Sequence, residues 1–199
     1  MKRSHRAGLS TASVVEAALA IIDEQGTDAL TLAAVAQRTG VAAPSLYKHV
    51  GSLAELRTLV GTRVLEQMTD RFTRVLIGRS GDDAVEALMH AYRGYVTDHP
   101  ARYAAAPADA LHDPRSAEAG QRLLEVFLAV LRGYGLTDSA AIHTTRVVRA
   151  VVHGFASIEA SGGFGLPEDL DETYAQLIRM TVAALPHSGV TVAPVPKGA

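Results

Sequence analysis

The segment TLAAVAQRTGVAAPSLYKHVGSLAEL, residues 31–56, contains two short helical patterns on either side of a glycine. In the first pattern apolar residues, among them Val35, recur at helical spacing after Thr31, whose hydroxyl can cap a helix N-terminus. Gly40 follows the pattern, and glycine commonly ends a helix in the left-handed conformation. The first pattern therefore predicts a helix over residues 32–38.

The second pattern begins with a proline, which a helix tolerates only in its first turn. We therefore predict a helix over residues 44–50 that starts at Pro44 and places Leu46 and Val50 four positions apart on one face. Two short helices joined by three or four residues with a glycine at the corner are typical of a helix-turn-helix.

Close packing of such a helix pair restricts five residues. Ala36 has to be small where the helices cross, and Gly40 has to turn the chain with a positive φ. Apolar side chains have to fill the wedge between the helices, and the sequence supplies Val35, Val41 and Leu46 for this role.

The outward side of the second helix carries residue types that suit DNA. Small side chains near its start allow close approach to base edges, and the hydroxyl and basic groups suit phosphates. The predicted contact residues are Ala42, Ala43, Pro44, Ser45, Tyr47, Lys48 and, when protonated, His49, with Thr31 as a further contact. The alternative is an ordinary pair of bundle helices, with Tyr47 half-buried and Lys48 simply solvated.

Helical periodicity continues over the rest of the chain. An amphipathic helix is predicted over residues 11–25, and Ser52 with Glu55 predicts a reciprocal cap for a helix from residue 53 to about residue 77. Segments rich in Gly, Pro or Asp separate further predicted helices at about residues 82–98, 100–107, 115–134, 138–160 and 168–185. We therefore expect an all-α fold.

The composition excludes several kinds of site. The 199 residues carry a formal net charge of −2 and no cysteine, so disulfides, thiolate metal sites and cysteine nucleophiles are not available. Histidine pairs also lack metal-ligand spacing, since His90 and His99 are nine residues apart and His143 and His153 are ten apart. We expect no metal, no cofactor and no enzymatic activity. Because no apolar block follows the basic N-terminus, we also expect a cytoplasmic protein.

The pattern as a whole closely resembles the tetracycline-repressor (TetR) family of bacterial transcription regulators. The resemblance rests on the first helix at 11–25, Thr-Leu-x-x-Val-Ala at 31–36, Gly-Val at 40–41 and Leu-Tyr-x-His-Val at 46–50. It implies a fold with an N-terminal helix-turn-helix and a larger helical C-terminal domain. It also implies DNA-contact roles for Thr31, Ser45, Tyr47, Lys48 and His49.

The chain departs from the family pattern at the entry to the fourth helix. Family members often carry a basic residue there, whereas this chain has Gly51, Ser52 and Leu53. We expect the Ser52 hydroxyl and the backbone N–H groups at the helix start to take over that phosphate contact.

The resemblance also implies a domain organisation and an oligomeric state. We expect a flexible basic arm at 1–9, a DNA-binding domain at 10–53, a ligand-binding and dimerisation domain at 54–186 and a disordered tail at 187–199. In the arm, Lys2, Arg3 and Arg6 can reach phosphates or the minor groove, or serve only as a solubilising start. A homodimer through about residues 138–160 and 168–185 would bind a pseudo-palindromic DNA operator. Residues 151–178 are similar to the branch named for a Trp-His-Gly tripeptide, although Val152 replaces the Trp.

A small-molecule effector is expected among the helices of the C-terminal domain, where aromatic and polar side chains mix. The candidate pocket residues are Tyr92, Tyr95, His99, Tyr103, Phe127, His143, Arg146 and Phe155, each of which can instead be a core or surface residue. The predicted function is thus a dimeric, sequence-specific transcription regulator, a repressor that a ligand releases from DNA. The alternative is an all-α small-molecule-binding or enzymatic protein that does not bind DNA.

Overall fold

The computed structural model describes residues 9–186, which form helices and connecting loops without a strand, and this confirms the all-α prediction. The predicted arm residues Lys2, Arg3 and Arg6 and the predicted tail at 187–199 lie outside this range. The helices are α1 (Thr11–Gln25), α2 (Leu32–Thr39), α3 (Ala43–Leu46), α4 (Leu53–Leu76), α5 (Gly81–Asp98), α6 (Pro100–Ala104), α7 (Ala117–Arg132), α8 (Asp138–Ala160) and α9 (Leu170–Ala183).

The ends of α1 follow from local hydrogen bonding. The Ser13 N–H donates to Ser10 Oγ at 3.1 Å, and the Ser10 N–H donates to Ser13 Oγ at 2.8 Å, so the two serines cap the helix reciprocally. At the other end Gly26 has φ 83°, which favours glycine. A short 3-10 turn, Thr27–Ala29, follows Gly26 and was absent from the predicted helices.

Two of the short predicted helices end several residues earlier in the structure than expected. The helix predicted at 44–50 ends at Leu46, whose carbonyl accepts from the N–H groups of both His49, at 2.8 Å, and Val50, at 2.9 Å. This shared acceptor tightens residues 47–49 into a turn. The helix predicted at 100–107 ends at Ala104, because Pro107 disfavours helical geometry at the residue before it.

The described residues form two compact units. The first contains the residues up to Gln67 together with His99–Arg122, and the second contains Met68–Asp98 and the residues from Leu123 onward. Residues 99–122 thus group with the helix-turn-helix, and the domain boundary expected after residue 53 stays a prediction.

Ion pairs and close backbone packing hold 99–122 within the first unit. The Arg102 guanidinium donates to both Asp23 carboxylate oxygens at 2.5 to 2.9 Å, and α6 packs on α1. On α4, a Cβ added to Gly61 would lie 2.9 Å from the Pro107 side chain.

A further ion pair joins α1 and α2 in the same unit. The Arg38 guanidinium pairs with both Glu24 carboxylate oxygens at 2.5 and 2.7 Å and lowers the pKa of Glu24.

The second unit is built on α5, which packs against α8 and α9. The Tyr174 ring is fully buried, its hydroxyl donates to the Met89 carbonyl at 2.7 Å, and burial raises its pKa. Arg93 donates to both oxygens of Glu159 at 2.5 and 2.7 Å and to Asp171 at 2.7 Å. The guanidinium carbon also lies 4.7 Å from the Tyr174 ring centroid, so one cation joins three helices.

Among residues 9–186, no helix combines the length and the apolar character needed to cross a membrane.

Gly40 has φ 69° and ψ 29°, and a Cβ placed there would meet nothing within 4 Å. Gly40→Ala should therefore lower the free energy of unfolding by about 1 kcal/mol through backbone strain alone. Gly40→Asn should cost less, because asparagine tolerates the left-handed region better than alanine. Urea denaturation followed by circular dichroism at one protein concentration measures both variants. Equal losses for the two variants would contradict this explanation.

Candidate nucleic-acid interface

Hydrogen bonds at both ends of α2 define the start and the turn of the α2–turn–α3 segment. Thr31 Oγ1 accepts from the Ala34 N–H at 3.1 Å, which fixes the start of α2. At its end, left-handed Gly40 lets the Val41 N–H reach back to the Ala36 carbonyl at 3.1 Å. The turn therefore has one defined backbone path between the two helices.

The inward residues of the segment are packed as the spacing predicts. Val35 and Leu46 are fully buried, Val50 is 1% exposed, and Ala36 is 6% exposed. Val41 is half-buried, so it fills the wedge only in part. The burial of Leu46 and Val50 fixes which side of α3 and of the following turn faces away from the core.

The outward residues form an accessible surface, which we call the contact surface. It consists of Ala42, Ala43, Pro44, Ser45, Tyr47, Lys48 and His49. Tyr47 is 58% exposed, so the alternative in which it is half-buried is wrong. Tyr47, Lys48 and His49 belong to the turn after α3 and not to the helix itself. In the contact surface, Ala42, Ala43, Pro44, Tyr47 and Lys48 are exposed, whereas Ser45 and His49 are half-buried.

A contact that the sequence analysis missed supports the turn from α1. Thr11 Oγ1 donates to the His49 carbonyl at 3.3 Å, across 38 residues of chain. A hydroxyl at a helix start also suits local capping, so the sequence pattern could not identify this long-range partner. The bond anchors the turn that carries Tyr47 and Lys48.

The start of α4 is capped differently from the predicted reciprocal arrangement. Ser52 Oγ accepts from the Glu55 N–H at 3.0 Å, as predicted. The Glu55 carboxylate, however, accepts from the N–H of Gly51 at 2.8 Å and not from that of Ser52. Gly51 suits this shift, because a Cβ there would lie 2.9 Å from the Glu55 oxygen. Ser52 itself is exposed beside the contact surface.

The candidate pocket residues are divided between the two compact units. Tyr92 and Phe127 lie together in the second unit, with ring centroids 6.3 Å apart, and both pack on Phe72. Phe155 belongs to a second aromatic group, 4.9 Å from Tyr174. The remaining candidates divide by position: Tyr95 is buried on α5, His143 and Arg146 are exposed on α8, and His99 and Tyr103 belong to the first unit.

Phe72, Tyr174, Arg93 and Thr145 are buried or nearly buried in the second unit and were not among the candidates. Their residue types and helical spacing match those of ordinary core and surface positions. In the range 9–186 no three histidine or acidic side chains are grouped to hold a metal ion.

Two family models of known proteins together match most of the chain. Residues 14–57 match the family model described as bacterial regulatory proteins, tetR family, and residues 85–181 match the model described as tetracyclin repressor-like, C-terminal domain. The second match includes residues 151–178.

Two relatives and one solved structure illustrate the similarity. The chain is 38% identical to the uncharacterised HTH-type transcriptional regulator Rv0681 of Mycobacterium tuberculosis, over 83% of this chain and 75% of the relative. It is 33% identical to the uncharacterised HTH-type transcriptional regulator YobS of Bacillus subtilis, over 92% of this chain and 95% of the relative. The fold is similar to that of a TetR variant from Acinetobacter baumannii in complex with minocycline, with a TM-score of 0.68, 20% identity, and coverage of 88% of this chain and 96% of that one.

Leu46 is buried and its neighbour Tyr47 is exposed, so truncating them should affect stability to very different extents. Leu46→Ala should lower the free energy of unfolding by about 2 to 5 kcal/mol, because it leaves a cavity in the core. Tyr47→Ala should change it by less than about 0.5 kcal/mol, because the ring is largely exposed. Thermal and urea denaturation measure both changes. A large loss for Tyr47→Ala would mean that the ring supports the fold.

Proposed function

Because the chain belongs to the TetR family of bacterial transcription regulators, we propose that it is a repressor that binds a pseudo-palindromic DNA operator as a dimer and leaves it when a small molecule binds. The observation that carries the DNA-binding part is the contact surface. Tyr47 and Lys48 are exposed, while Leu46 at the end of α3 is fully buried. The core thus fixes the direction in which the outward groups point.

We propose distinct roles within the contact surface. Ala42, Ala43 and Pro44 present short side chains that allow close approach to the floor of the major groove, and the Ser45 hydroxyl can hydrogen-bond a base edge. Tyr47, Lys48 and protonated His49 would contact phosphates.

Two flanking hydroxyls complete the proposed phosphate contacts. Thr31 uses an oxygen lone pair to cap α2, which leaves its hydroxyl proton as a donor. Ser52 caps α4 in the same way. Both residues are exposed at helix starts, where backbone N–H groups also favour anions. This arrangement supports phosphate contacts without the basic residue common in the family.

An exposed apolar face on α8 and α9 supports the proposed dimer. On α8, Val147 is 58% exposed and Ile158 is 44% exposed, and a Cβ added to Gly154 would meet nothing within 4 Å. On α9, Met180 is 63% exposed. We propose that a second copy of the chain covers this face and that the glycine permits close helix approach.

Binding of genomic DNA tests the central proposal. Purified protein at low salt should select fragments with a common pseudo-palindromic sequence from the genome of its source. Selection of no sequence would overturn the proposal. The genes beside the bound fragments would also suggest the effector, whose addition should release the DNA.

Lys48→Ala should weaken operator binding and reduce the slope of log affinity against log salt concentration by about one, because one phosphate contact is lost. Arg132→Ala is the matched control, since it removes one exposed positive charge from the second unit and should leave the slope unchanged. Fluorescence anisotropy at several salt concentrations measures both. Equal effects would mean that only overall charge matters.

Val147→Glu should shift the protein from dimer to monomer, because it places a charge within the proposed apolar interface. His153→Glu is the control, since it places a carboxylate on an exposed residue of α8 outside the proposed face. Analytical ultracentrifugation measures both. A monomeric wild-type protein, or a dimeric Val147→Glu variant, would contradict the proposed interface.

A further inference from the structure

Thr145 lies on the buried side of α8, the helix whose opposite face carries Val147. Ala141, Val148 and Val152 share its helix face, and all three are buried. The Thr145 side chain is only 7% exposed. Its hydroxyl has no hydrogen-bond partner within the described residues.

Other threonines in the same unit show that a local partner is normally available. Thr97, Thr144 and Thr181 each donate to the carbonyl four residues earlier, at 3.1, 2.9 and 2.8 Å. Thr144 is the immediate neighbour of Thr145 on α8. The Thr145 hydroxyl could bond in the same way to the Ala141 carbonyl, but it does not. A buried hydroxyl without a partner destabilises the fold, so its orientation needs another explanation.

Arg93 brings a charge into the second unit, and this charge is already paired. The Arg93 side chain is 13% exposed and is bound by Glu159 and Asp171. The Tyr174 hydroxyl is likewise used by the Met89 carbonyl. A molecule held against the buried face of α8 would meet mainly apolar side chains together with the neutral Thr145 hydroxyl. Such surroundings favour a neutral ligand, because an ion would lose its hydration without gaining a counter-charge.

We propose that the Thr145 hydroxyl is the polar contact for the effector, and that the effector is an uncharged, largely apolar molecule with one hydrogen-bonding group. This inference rests on the proposed ligand-responsive function and adds the chemical class of the ligand. The hydroxyl can donate to a carbonyl or ether oxygen or accept from an N–H or O–H group.

Two fluorescent probes of matched shape test the ligand class. Phenyl-naphthylamine is neutral and apolar with one N–H donor. Its sulfonated analogue, with the sulfonate on the ring remote from the amine, adds a negative charge and leaves the N–H available. The neutral probe should bind the full-length protein at one site per chain, and the sulfonated probe should bind at least about tenfold more weakly. Equal binding of the two probes, or no binding of the neutral one, would overturn the proposal.

Two substitutions test the contact. Thr145→Val keeps the side-chain shape and removes the hydroxyl, so the affinity for the neutral probe should fall about fivefold while the melting temperature rises. Thr145→Ser keeps the hydroxyl and should retain most of the affinity. Unchanged probe affinity in Thr145→Val, or a lower melting temperature in that variant, would show that the hydroxyl has no ligand role or has a structural one.

Operator binding separates this inference from the proposed function. Each Thr145 variant should bind the selected DNA like the wild-type protein when no probe is present. If the wild-type protein selects no DNA, the repressor proposal fails whatever the probes do. If DNA is bound and the Thr145→Val result is negative, only the ligand contact fails.

Discussion

The packing of Leu46 and Val50 beneath the turn that follows α3 is the constraint on which the proposed DNA contacts depend. Both side chains are buried almost completely, so the residues beside them must face outward. Left-handed Gly40 brings the chain to the correct position for this packing. The outward direction of Tyr47 and Lys48 therefore follows from apolar burial and one glycine conformation, without any interaction between the polar groups themselves.

Because α3 has only one helical turn, its neighbours have to support the residues that follow. The Thr11 hydroxyl holds the His49 carbonyl, and the Glu55 carboxylate holds the Gly51 N–H. These bonds come from residues of α1 and α4. Such support reduces the conformational freedom that DNA binding would otherwise have to remove. A preformed contact surface is important for DNA binding by a chain of net charge −2, because overall positive charge cannot supply the affinity for DNA.

Apolar periodicity predicted most helices because burial repeats with the helical period, and the bounds of α1 agree with the prediction. The end of α3 was not predictable, since Leu46 and Val50 can both be buried whether Tyr47 is helical or in a turn. The division into two compact units could not be predicted from apolar periodicity either. It involves contacts distant in sequence, such as the ion pair between Asp23 and Arg102, which joins residues 79 positions apart. Within the contact surface, the residue types were predictable from the pattern, whereas the long-range bonds that support them were not.

The two faces of α8 connect the proposed ligand contact with the proposed dimer. Thr145 lies on the side that packs within its unit, whereas Val147 and Gly154 lie on the side that a second copy would cover. A ligand inserted against Thr145 would have to displace packed side chains, because a close-packed interior has little spare volume. Under both proposals, the helix that yields to the ligand would also be the helix that sets the spacing of the two subunits. An effector acts only through a difference in affinity between two states, and a shift of α8 is the difference that we propose.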